Sequence, residues 1–355
     1  MSLRFIRSGA AGLAALVLLM AVGCGSGGDT NSSTTTGGKS AERTTNNLTA
    51  PTDNGAAPKA TKKDGSPIVM GFSQIGAESG WRTANTESIQ SEAKARGIDL
   101  KFSDAQGKQE NQIKAIKSFI EQGVDVIAFS PVVETGWGPV LQEAKKAGIP
   151  VIVSDRRPDV PDDLYVTFLG SDFIQEGERA AEWLAKATNG KATIAELTGT
   201  PGSAPANDRA KGFRNVLAKY PNMKIVFSQT GDFRRDNGKQ VMEALLKSPQ
   251  GSQITALFAH NDDMAIGAIQ AIKAAGKKPG KDIMVVSIDG IKDGLQALKD
   301  GDENYIVECN PLLGPMLMDS VVATLNGKTL PKRQLMKDEA FDQTAAIKAL
   351  PTRKY

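Results

Sequence analysis

Residues 149–157 read Ile-Pro-Val-Ile-Val-Ser-Asp-Arg-Arg, an apolar run that leads directly into a hydroxyl, a carboxylate and two guanidinium groups. Apolar runs of this length are typical of strands buried on both faces of a parallel sheet. Gly148, directly before the run, indicates the end of a helix that carries Val140 and Leu141 on its inner face. In a parallel sheet, the polar residues that follow such a strand lie at its carboxyl edge, where ligands bind.

The same alternation of apolar strands and amphipathic helices continues on both sides of this run. The predicted strands are residues 68–72, 100–103, 126–129, 149–153, 193–197, 224–228, 255–259 and 283–288. Helices are predicted between them; Ile113, Ile116 and Ile120, for example, recur on one helical face. Two such blocks predict the α/β class, with two doubly wound parallel-sheet lobes.

Length, charge and composition restrict the possible function classes. The chain has 355 residues, enough for about two domains of ordinary size. Its formal net charge is only +3, and the region of predicted strands contains no block of basic residues, so nucleic acid is not an expected partner. A single histidine, His260, argues against a His-rich metal site or a His-based catalytic triad. We therefore interpret His260 as a structural residue.

The first 24 residues are predicted to form an export signal. Arg4 and Arg7 provide a positive start, and residues 10–20 form an apolar run too short to span a membrane comfortably. The run leads into Ala-Val-Gly-Cys, ending at Cys24, and this sequence resembles the bacterial lipobox. The resemblance implies an extracytoplasmic protein anchored to the cell membrane through a lipid on Cys24. An ordinary secretory signal with an incidental cysteine is the alternative.

Residues 25–66 are predicted to be a flexible linker. They are rich in Gly, Ser, Thr, Asn and Ala and contain almost no large apolar side chain, so they cannot bury enough surface to offset the entropy lost on ordering. Cys24 and Cys309 are the two cysteines of the chain, so a lipid on Cys24 leaves Cys309 unpaired. The alternative is a disulfide between them, which would require the linker to fold back.

Polar side chains of both charge signs follow several of the predicted strands. Asp155 and Arg156 follow one strand, Asn261 and Asp262 follow another, and Asp289 follows a third. A sugar hydroxyl both donates and accepts hydrogen bonds, so its site needs carboxylate acceptors together with arginine or amide donors. Opposed charges also neutralise each other and reduce the cost of desolvation. Helix capping is the alternative role for each single residue, but their convergence at one edge favours a sugar pocket.

The sequence lacks the common catalytic motifs. It contains no G-x-S-x-G, no G-x-x-x-x-G-K-[ST], no H-E-x-x-H and no C-x-x-C pair. Asp262 and Asp263 are adjacent at a predicted helix start, where neighbouring side chains diverge, so we interpret them as capping residues. We therefore predict no catalytic residue, no metal, no cofactor and no enzymatic activity.

Three motifs carry a resemblance to a known family. They are Ser154-Asp155-Arg156, Asn261-Asp262-Asp263-Met264 and Ile288-Asp289-Gly290. With these motifs the chain resembles the ribose/galactose-type periplasmic sugar-binding proteins of ABC importers, over residues from about 68 to just beyond 308. Glu-Ser-Gly-Trp-Arg at 78–82 and the stretch at 108–115 are similar to the galactofuranose-binding members of that family.

The resemblance implies a monosaccharide ligand, galactofuranose-like, and an ABC permease as the partner of a monomeric protein. Asp155 and Arg156 would hold sugar hydroxyls, while Arg209, placed in the loop that opens a helix, would reach across the cleft. Phe233 would stack on the sugar. The implied binding residues are Trp81, Arg82, Asp155, Arg156, Arg209, Phe233, Asn261, Asp289 and Glu308. The calcium loop of some hexose binders has no counterpart in this sequence.

The family fold, the type I periplasmic binding protein fold, also implies three crossings between the lobes. The expected N-terminal lobe comprises residues 67–170 and 309–335, and the C-terminal lobe comprises 171–308 and 336–355. Hinges are expected near Gly170, at residues 308–311 and after Leu335. The lobes would close on the sugar by hinge rotation and present a surface to the permease.

Other functions remain as alternatives on the sequence alone. The protein could serve a chemotaxis or sensor-kinase system, or bind another pentose or hexose such as ribose, galactose or xylose. A transcriptional repressor shares such a core but would carry a basic helix-turn-helix before the first strand. An exported glycosidase would need two carboxylates at a set spacing across one bond.

Overall fold

The computed structural model describes residues 59–355. The predicted signal peptide at 1–24, including Cys24, and the predicted linker up to residue 58 lie outside the described residues. Within the described part of the chain, no helix is both long enough and apolar enough to cross a membrane.

Residues 59–66 were predicted as linker, but they pack on the folded body. Ala60 is buried, and its amide donates to the Arg96 carbonyl at 2.8 Å. Lys62 Nζ lies 2.8 Å from Asp125 Oδ1. The predicted linker boundary at residue 66 is therefore wrong, because main-chain hydrogen bonds and an ion pair order a segment whose composition alone favours disorder.

Parallel strands form two six-stranded sheets. In chain order the strands are β1 (Val69–Gln74), β2 (Asp99–Asp104), β3 (Val126–Phe129), β4 (Val151–Ser154), β5 (Thr167–Gly170), β6 (Lys191–Thr198), β7 (Asn222–Thr230), β8 (Ala256–Ala259), β9 (Met284–Asp289), β10 (Tyr305–Glu308), β11 (Arg333–Leu335) and β12 (Ala340–Phe341). The strand orders are β11-β5-β4-β3-β1-β2 and β12-β10-β9-β8-β6-β7. Only the short β12 pairs antiparallel, with β10, among the described strands.

Helices cover both faces of each sheet, which agrees with the predicted doubly wound lobes. They are α1 (Gly80–Ala95), α2 (Gln109–Glu121), α3 (Gly138–Lys146), α4 (Phe173–Ala187), α5 (Ala204–Leu217), α6 (Arg235–Leu246), α7 (Asp262–Ala274), α8 (Lys292–Asp300), α9 (Gly314–Leu325) and α10 (Gln343–Ala349). Side-chain caps define several starts; Ser79 Oγ, for example, accepts from the Arg82 amide at the start of α1.

The chain passes from one sheet to the other three times. We call the lobe built on the first sheet the N-lobe and the lobe built on the second sheet the C-lobe. The crossings follow β5, β10 and β11, which end at Gly170, Glu308 and Leu335. The lobe boundaries expected from the sequence fall at these three strand ends.

Helix α5 begins earlier than the sequence pattern indicates. A helix was expected around residues 213–219, with Arg209 in a loop before it, but α5 starts at Ala204 with Pro205 in its first turn. Proline is well tolerated at this position, since its missing N–H would have no partner within the helix. Arg209 therefore projects from a rigid helix and not from a loop.

Close packing of α4 on α5 fixes the position of that arginine. A Cβ placed on Gly212 would lie 2.0 Å from the Ile174 carbonyl oxygen, and one on Gly177 would lie 2.2 Å from the Arg209 carbonyl oxygen. Glycine at both positions lets the two backbones approach closely. The approach brings Glu176 on α4 next to Arg209 on α5.

Candidate ligand-binding site

A cavity of about 280 Å³ lies between the lobes, at the carboxyl ends of their parallel strands. The residues that line it are Glu78, Ser79, Trp81, Arg82, Asp155, Arg156, Pro205, Arg209, Phe233, Asn261, Asp289 and Cys309. The structure thus brings together eight of the nine residues predicted to bind ligand. The exception is Glu308.

On the N-lobe side, Arg82 and Asp155 form a buried ion pair. Arg82 Nη2 donates to Asp155 Oδ2 at 2.6 Å, and Arg82 Nε donates to Glu78 Oε1 at 3.1 Å. Ser130 Oγ donates to the same Asp155 oxygen at 3.0 Å. Burial alone would lower the pKa of Arg82, but the charges of Asp155 and Glu78 outweigh it and raise that pKa above its usual value. Arg82 therefore stays charged.

Arg156 is held more loosely. Its Nη1 donates to the Val132 carbonyl and its Nη2 to Glu78 Oε1, both at 3.3 Å. Within residues 59–355, neither Arg156 Nε nor Glu78 Oε2 has a hydrogen-bond partner, although both atoms are buried. Burial, reinforced by the charge of Arg82, lowers the pKa of Arg156 to about 10. A donor and an acceptor at this wall of the cavity are therefore available to a ligand.

On the C-lobe side, Arg209 is fixed at two of its three nitrogens. Nε donates to Glu176 Oε2 at 2.7 Å, and Nη1 donates to the His260 carbonyl, also at 2.7 Å. The third nitrogen, Nη2, lies 3.7 Å from Asp289 Oδ1. The imidazole of His260 is fully buried with Nε2 3.3 Å from Glu196 Oε1, which agrees with the structural role expected for it.

The charges of the cavity nearly balance. Glu78 and Asp155 face two of the three arginines, and Asp289 together with Glu176 faces Arg209. Burial raises the pKa of Glu176 to about 7 and that of Asp289 well above its usual range, although Arg209 opposes both shifts. The cavity thus holds guanidinium and carboxylate groups side by side, and the raised pKa values favour retention of a proton at Glu176 and Asp289. Such a site suits an uncharged, polar ligand.

Three lining residues have left-handed backbone conformations. The φ angles are 64° at Asp155, 61° at Phe233 and 124° at Asp289. Residues other than glycine rarely adopt such angles, which cost about 1–3 kcal/mol each and persist where the surroundings enforce them. The strain concentrates at the strand and helix ends that aim these side chains at the cavity.

Aromatic rings supply the apolar part of the wall. The guanidinium carbons of Arg156 and Arg209 lie 5.1 Å and 5.9 Å from the centroid of the Phe233 ring. The Trp81 indole Nε1 donates to the Cys309 carbonyl at 2.5 Å. Both rings are almost fully buried. They can cover the C–H face of a sugar while the arginines bind its hydroxyls.

Asn261 and Asp262 of the Asn-Asp-Asp motif make hydrogen bonds to the backbone of two loops beside the cavity. Asn261 caps α7 by accepting from the Met264 amide at 3.0 Å and donates to the Phe233 carbonyl at 3.1 Å. Asp262 accepts from the backbone amides of Gly290 and Ile291 at 2.8 and 2.7 Å. Asn261 therefore lines the cavity while one of its two Nδ2 hydrogens holds the Phe233 carbonyl.

The structure does not bring Glu308 into the cavity lining, although the sequence predicted it to bind the ligand. Its Oε1 accepts from Arg353 Nη1 at 2.6 Å and from the Tyr355 hydroxyl at 2.7 Å, and its Oε2 accepts from the Glu339 amide at 2.8 Å. The next residue, Cys309, lines the cavity instead.

The sequence analysis also missed Glu78, which contacts both Arg82 and Arg156. A signal was present, because Glu78 precedes Arg82 by four residues, the spacing at which side chains meet on a helix. Pro205 and Cys309 gave no such signal; their side chains have little hydrogen-bonding chemistry, and only the fold brings them to the cavity.

Polar contacts at the rim join the lobes around the cavity. Across one edge, the Gly80 amide donates to Asp263 Oδ2 at 2.7 Å. Across the other, Asn207 Nδ2 donates to Glu134 Oε2 at 2.6 Å, and the Glu134 amide donates to the Gly202 carbonyl at 2.9 Å. These contacts enclose the cavity between two lobes that approach each other closely.

Comparison with known proteins decides the family. A family model described as a periplasmic binding protein domain matches residues 70–329. The chain belongs to the periplasmic binding proteins. The galactofuranose-binding protein YtfQ of Escherichia coli K12 is 51% identical over 270 residues, which cover 75% of this chain and 85% of that protein. The resemblance stated from the motifs and the prediction that the chain is not an enzyme are both confirmed.

Solved structures of periplasmic binding proteins share the fold. A Mycobacterium smegmatis protein in complex with β-D-fucofuranose is 59% identical, with a TM-score of 0.79 over 81% of this chain and 95% of that chain. The periplasmic component of an arabinose ABC transporter from Shewanella, bound to α- and β-L-arabinofuranose, is 52% identical, with a TM-score of 0.79 over 81% of this chain and 96% of its own. The predicted two-lobed fold is confirmed.

Proposed function

We propose that this periplasmic binding protein captures a monosaccharide in its five-membered furanose form and delivers it to the permease of an ABC importer. Three similar proteins are named or solved with galactofuranose, fucofuranose and arabinofuranose. Two of them share more than half of their aligned residues with this chain and reach a TM-score of 0.79. These likenesses support a furanose over a pyranose as the ligand.

The observation that carries the proposal is the pair of available atoms at the cavity wall. Arg156 Nε can donate and Glu78 Oε2 can accept, and neither atom is bonded within the described residues. A sugar hydroxyl is a donor and an acceptor at once, so one hydroxyl or two neighbouring hydroxyls can engage both atoms. Leaving a buried donor or acceptor atom without a partner costs about 1–3 kcal/mol, and a bound hydroxyl would remove that cost.

The electrostatic balance supports an uncharged ligand. A phosphate or carboxylate would find Glu78, Asp155 and Asp289 at the same cavity as the arginines and would be repelled by them. A neutral polyol meets donors and acceptors of both signs and adds no net charge to a buried site.

Closure of the lobes would complete the binding site. The rim contacts join residues of opposite lobes, so they form only when the lobes approach each other. We propose that the ligand favours the closed form and that the permease recognises the closed surface. If small-angle X-ray scattering shows no compaction on ligand saturation, hinge closure is refuted.

Export and anchoring complete the proposal. We propose that residues 1–24 direct export, that Cys24 carries the lipid, and that a monomer works outside the cytoplasm close to its permease. The apolar run before Cys24 and the polar composition of residues 25–58 support this arrangement.

A ligand screen with locked ring forms tests the proposal. Melting temperature and calorimetric affinity are measured with galactose, fucose and arabinose, and with anhydroalditols locked as five-membered or six-membered rings. We expect binding of the five-membered rings and little binding of the six-membered ones. Equal or stronger binding of the six-membered series would refute the furanose assignment, and failure of every sugar would refute sugar binding itself.

A further inference from the structure

Glu308, Arg353 and Tyr355 form a cluster beside the end of β10, outside the cavity lining, with Glu308 buried and the other two residues half-buried; we call this cluster the clasp. Arg353 Nη1 and the Tyr355 hydroxyl both donate to Glu308 Oε1, at 2.6 and 2.7 Å. Only 5% of the Glu308 side chain and 10% of the Arg353 side chain are exposed. The Arg353 guanidinium also lies over the Tyr355 ring, 4.0 Å from its centroid. Burial and aromatic stacking make this pair stronger than an exposed ion pair.

The clasp holds the loop that follows β9. Arg353 Nε donates to the Gly290 carbonyl at 2.6 Å, and the Lys292 amide donates to the Tyr355 carbonyl at 2.8 Å. A Cβ on Gly290 would lie 2.7 Å from Arg353 Nη2, so glycine permits this close approach. Asp289, the cavity carboxylate, directly precedes Gly290. Residues 353–355 therefore fix both sides of a turn that aims Asp289 at the cavity.

The clasp also holds two of the crossings between the lobes. The Glu308 amide donates to the Glu339 carbonyl at 3.0 Å, and the Glu339 amide returns a hydrogen bond to Glu308 Oε2 at 2.8 Å. Cys309 follows Glu308; its amide donates to the Asp289 carbonyl at 3.1 Å, and its own carbonyl accepts from the Trp81 indole. Glu308 thus links the second crossing, the third crossing and residues 353–355.

We propose that Glu308 and Arg353 are positioning residues for the cleft, holding Asp289 and Cys309 in binding geometry from outside the cavity lining. Asp289 has a φ of 124°, a conformation that persists only where the surroundings enforce it. Arg353 enforces it through the Gly290 carbonyl, and the Cys309–Asp289 hydrogen bond transmits the position of Glu308. The role in affinity rests on the sugar-binding function proposed above, whereas the role in loop geometry does not.

Arg353→Met in the full chain tests the clasp by two measurements. In the unliganded protein, we expect the amide resonances of Gly290 and Cys309 to move in ¹H–¹⁵N spectra. With L-arabinose as the probe, we expect roughly tenfold weaker binding, equivalent to about 1.4 kcal/mol. Arg353→Lys retains the charge but replaces a fork with a single point of donation, so we expect it to restore only part of the affinity.

Leu298→Ala is the matched control for a loss of stability alone. Leu298 is fully buried in α8 on the same side of the C-lobe, and it belongs to the apolar cluster beside the clasp. We expect it to lower the melting temperature while leaving the two resonances and the affinity nearly unchanged. The clasp proposal is overturned if Arg353→Met leaves both resonances in place, or if it binds within twofold of the unsubstituted protein. If the unsubstituted protein does not bind L-arabinose, the positions of the Gly290 and Cys309 amide resonances are the only test of the clasp proposal.

Discussion

Arg156→Met is the substitution that best separates ligand binding from stability. The guanidinium makes two long hydrogen bonds of 3.3 Å, and within residues 59–355 its buried Nε has no partner. Burial and, after it, the charge of Arg82 lower the pKa of Arg156, so the two guanidinium groups repel each other. Removing this cation therefore relieves a repulsion while it breaks weak bonds. We expect the stability of the unliganded protein to change by less than about 1 kcal/mol.

The effect on affinity should be much larger. A hydrogen bond to a charged group contributes about 1.5–3 kcal/mol, and the guanidinium can offer one or two of them to a sugar. A loss of about 2–4 kcal/mol corresponds to roughly 30- to 700-fold weaker binding. Methionine keeps an unbranched chain beside Phe233, so the loss reports hydrogen bonding more than packing.

Calorimetric titration and thermal unfolding give the two quantities. Arg96→Met is the matched control, because Arg96 belongs to the same lobe and pairs with Glu92 and Asp319 at the far end of α1. We expect Arg96→Met to change the melting temperature without changing the affinity. The reasoning is refuted if Arg156→Met binds sugar within threefold of the unsubstituted protein, or if Arg96→Met weakens binding as much as Arg156→Met does.

Three further predictions concern packing, protonation and anchoring. Gly212→Ala should lower the free energy of unfolding by about 1–3 kcal/mol, because its Cβ would lie 2.0 Å from the Ile174 carbonyl oxygen. Gly138→Ala is the control: among the described residues no neighbouring atom lies within 4 Å of a Cβ there, so stability should be unchanged or higher. Denaturant unfolding measures both free energies. Burial raises the pKa of Glu303 well above its usual value, and neither of its carboxylate oxygens has a hydrogen-bond partner in the described part of the chain. The folded state therefore retains a proton that the unfolded state releases, so stability falls as pH rises from about 4.5 through the folded pKa. Glu303→Gln should raise the melting temperature at about pH 8 but not at about pH 4. Cys24→Ser should abolish incorporation of labelled fatty acid in cells; incorporation that persists would exclude this cysteine as the lipidation site.

The sequence was sufficient to find the charged centre of the site. Asp155 and Arg156 were predicted because a buried parallel strand delivers the residues after it to the ligand-binding edge of the sheet. The apolar run of β4 determines that edge without any knowledge of its neighbours. The same logic found Asn261, which lies just after β8, and Asp289, the last residue of β9. Strand ends are local features, so local patterns predict them.

Contacts between distant segments were not predictable in the same way. The Arg209–Glu176 pair depends on the close approach of α4 and α5, and the periodicity of α5 gave too late a start for the helix that carries Arg209. The φ of 61° at Phe233 depends on the loop before α6, where the left-handed turn falls on Asp232 and Phe233 and not on Gly231, the glycine of that loop. These features arise from packing across the C-lobe and have no counterpart in any short stretch of sequence.

The position of Glu308 depends on partners that lie far away in the sequence. Glutamate at the end of a crossing strand matched the polar residue expected at the site, while Cys309 offered little polar chemistry. In the structure, the Glu308 carboxylate is occupied by Arg353, Tyr355 and Glu339 and lies outside the cavity lining. No short stretch of sequence around Glu308 indicates those three partners.

The rim contacts indicate why a ligand should control closure. The Gly80–Asp263 and Asn207–Glu134 hydrogen bonds are at least partly exposed, and such bonds contribute about 0.5–1.5 kcal/mol each. A few of them offset only part of the cost of bringing Arg156, Asp155 and Glu78 out of water. The balance between open and closed lobes is then small, and the hydrogen bonds of a sugar to these three residues are large enough to shift it. Because the same side chains bind and are desolvated, affinity and closure should weaken together when any one of them is removed.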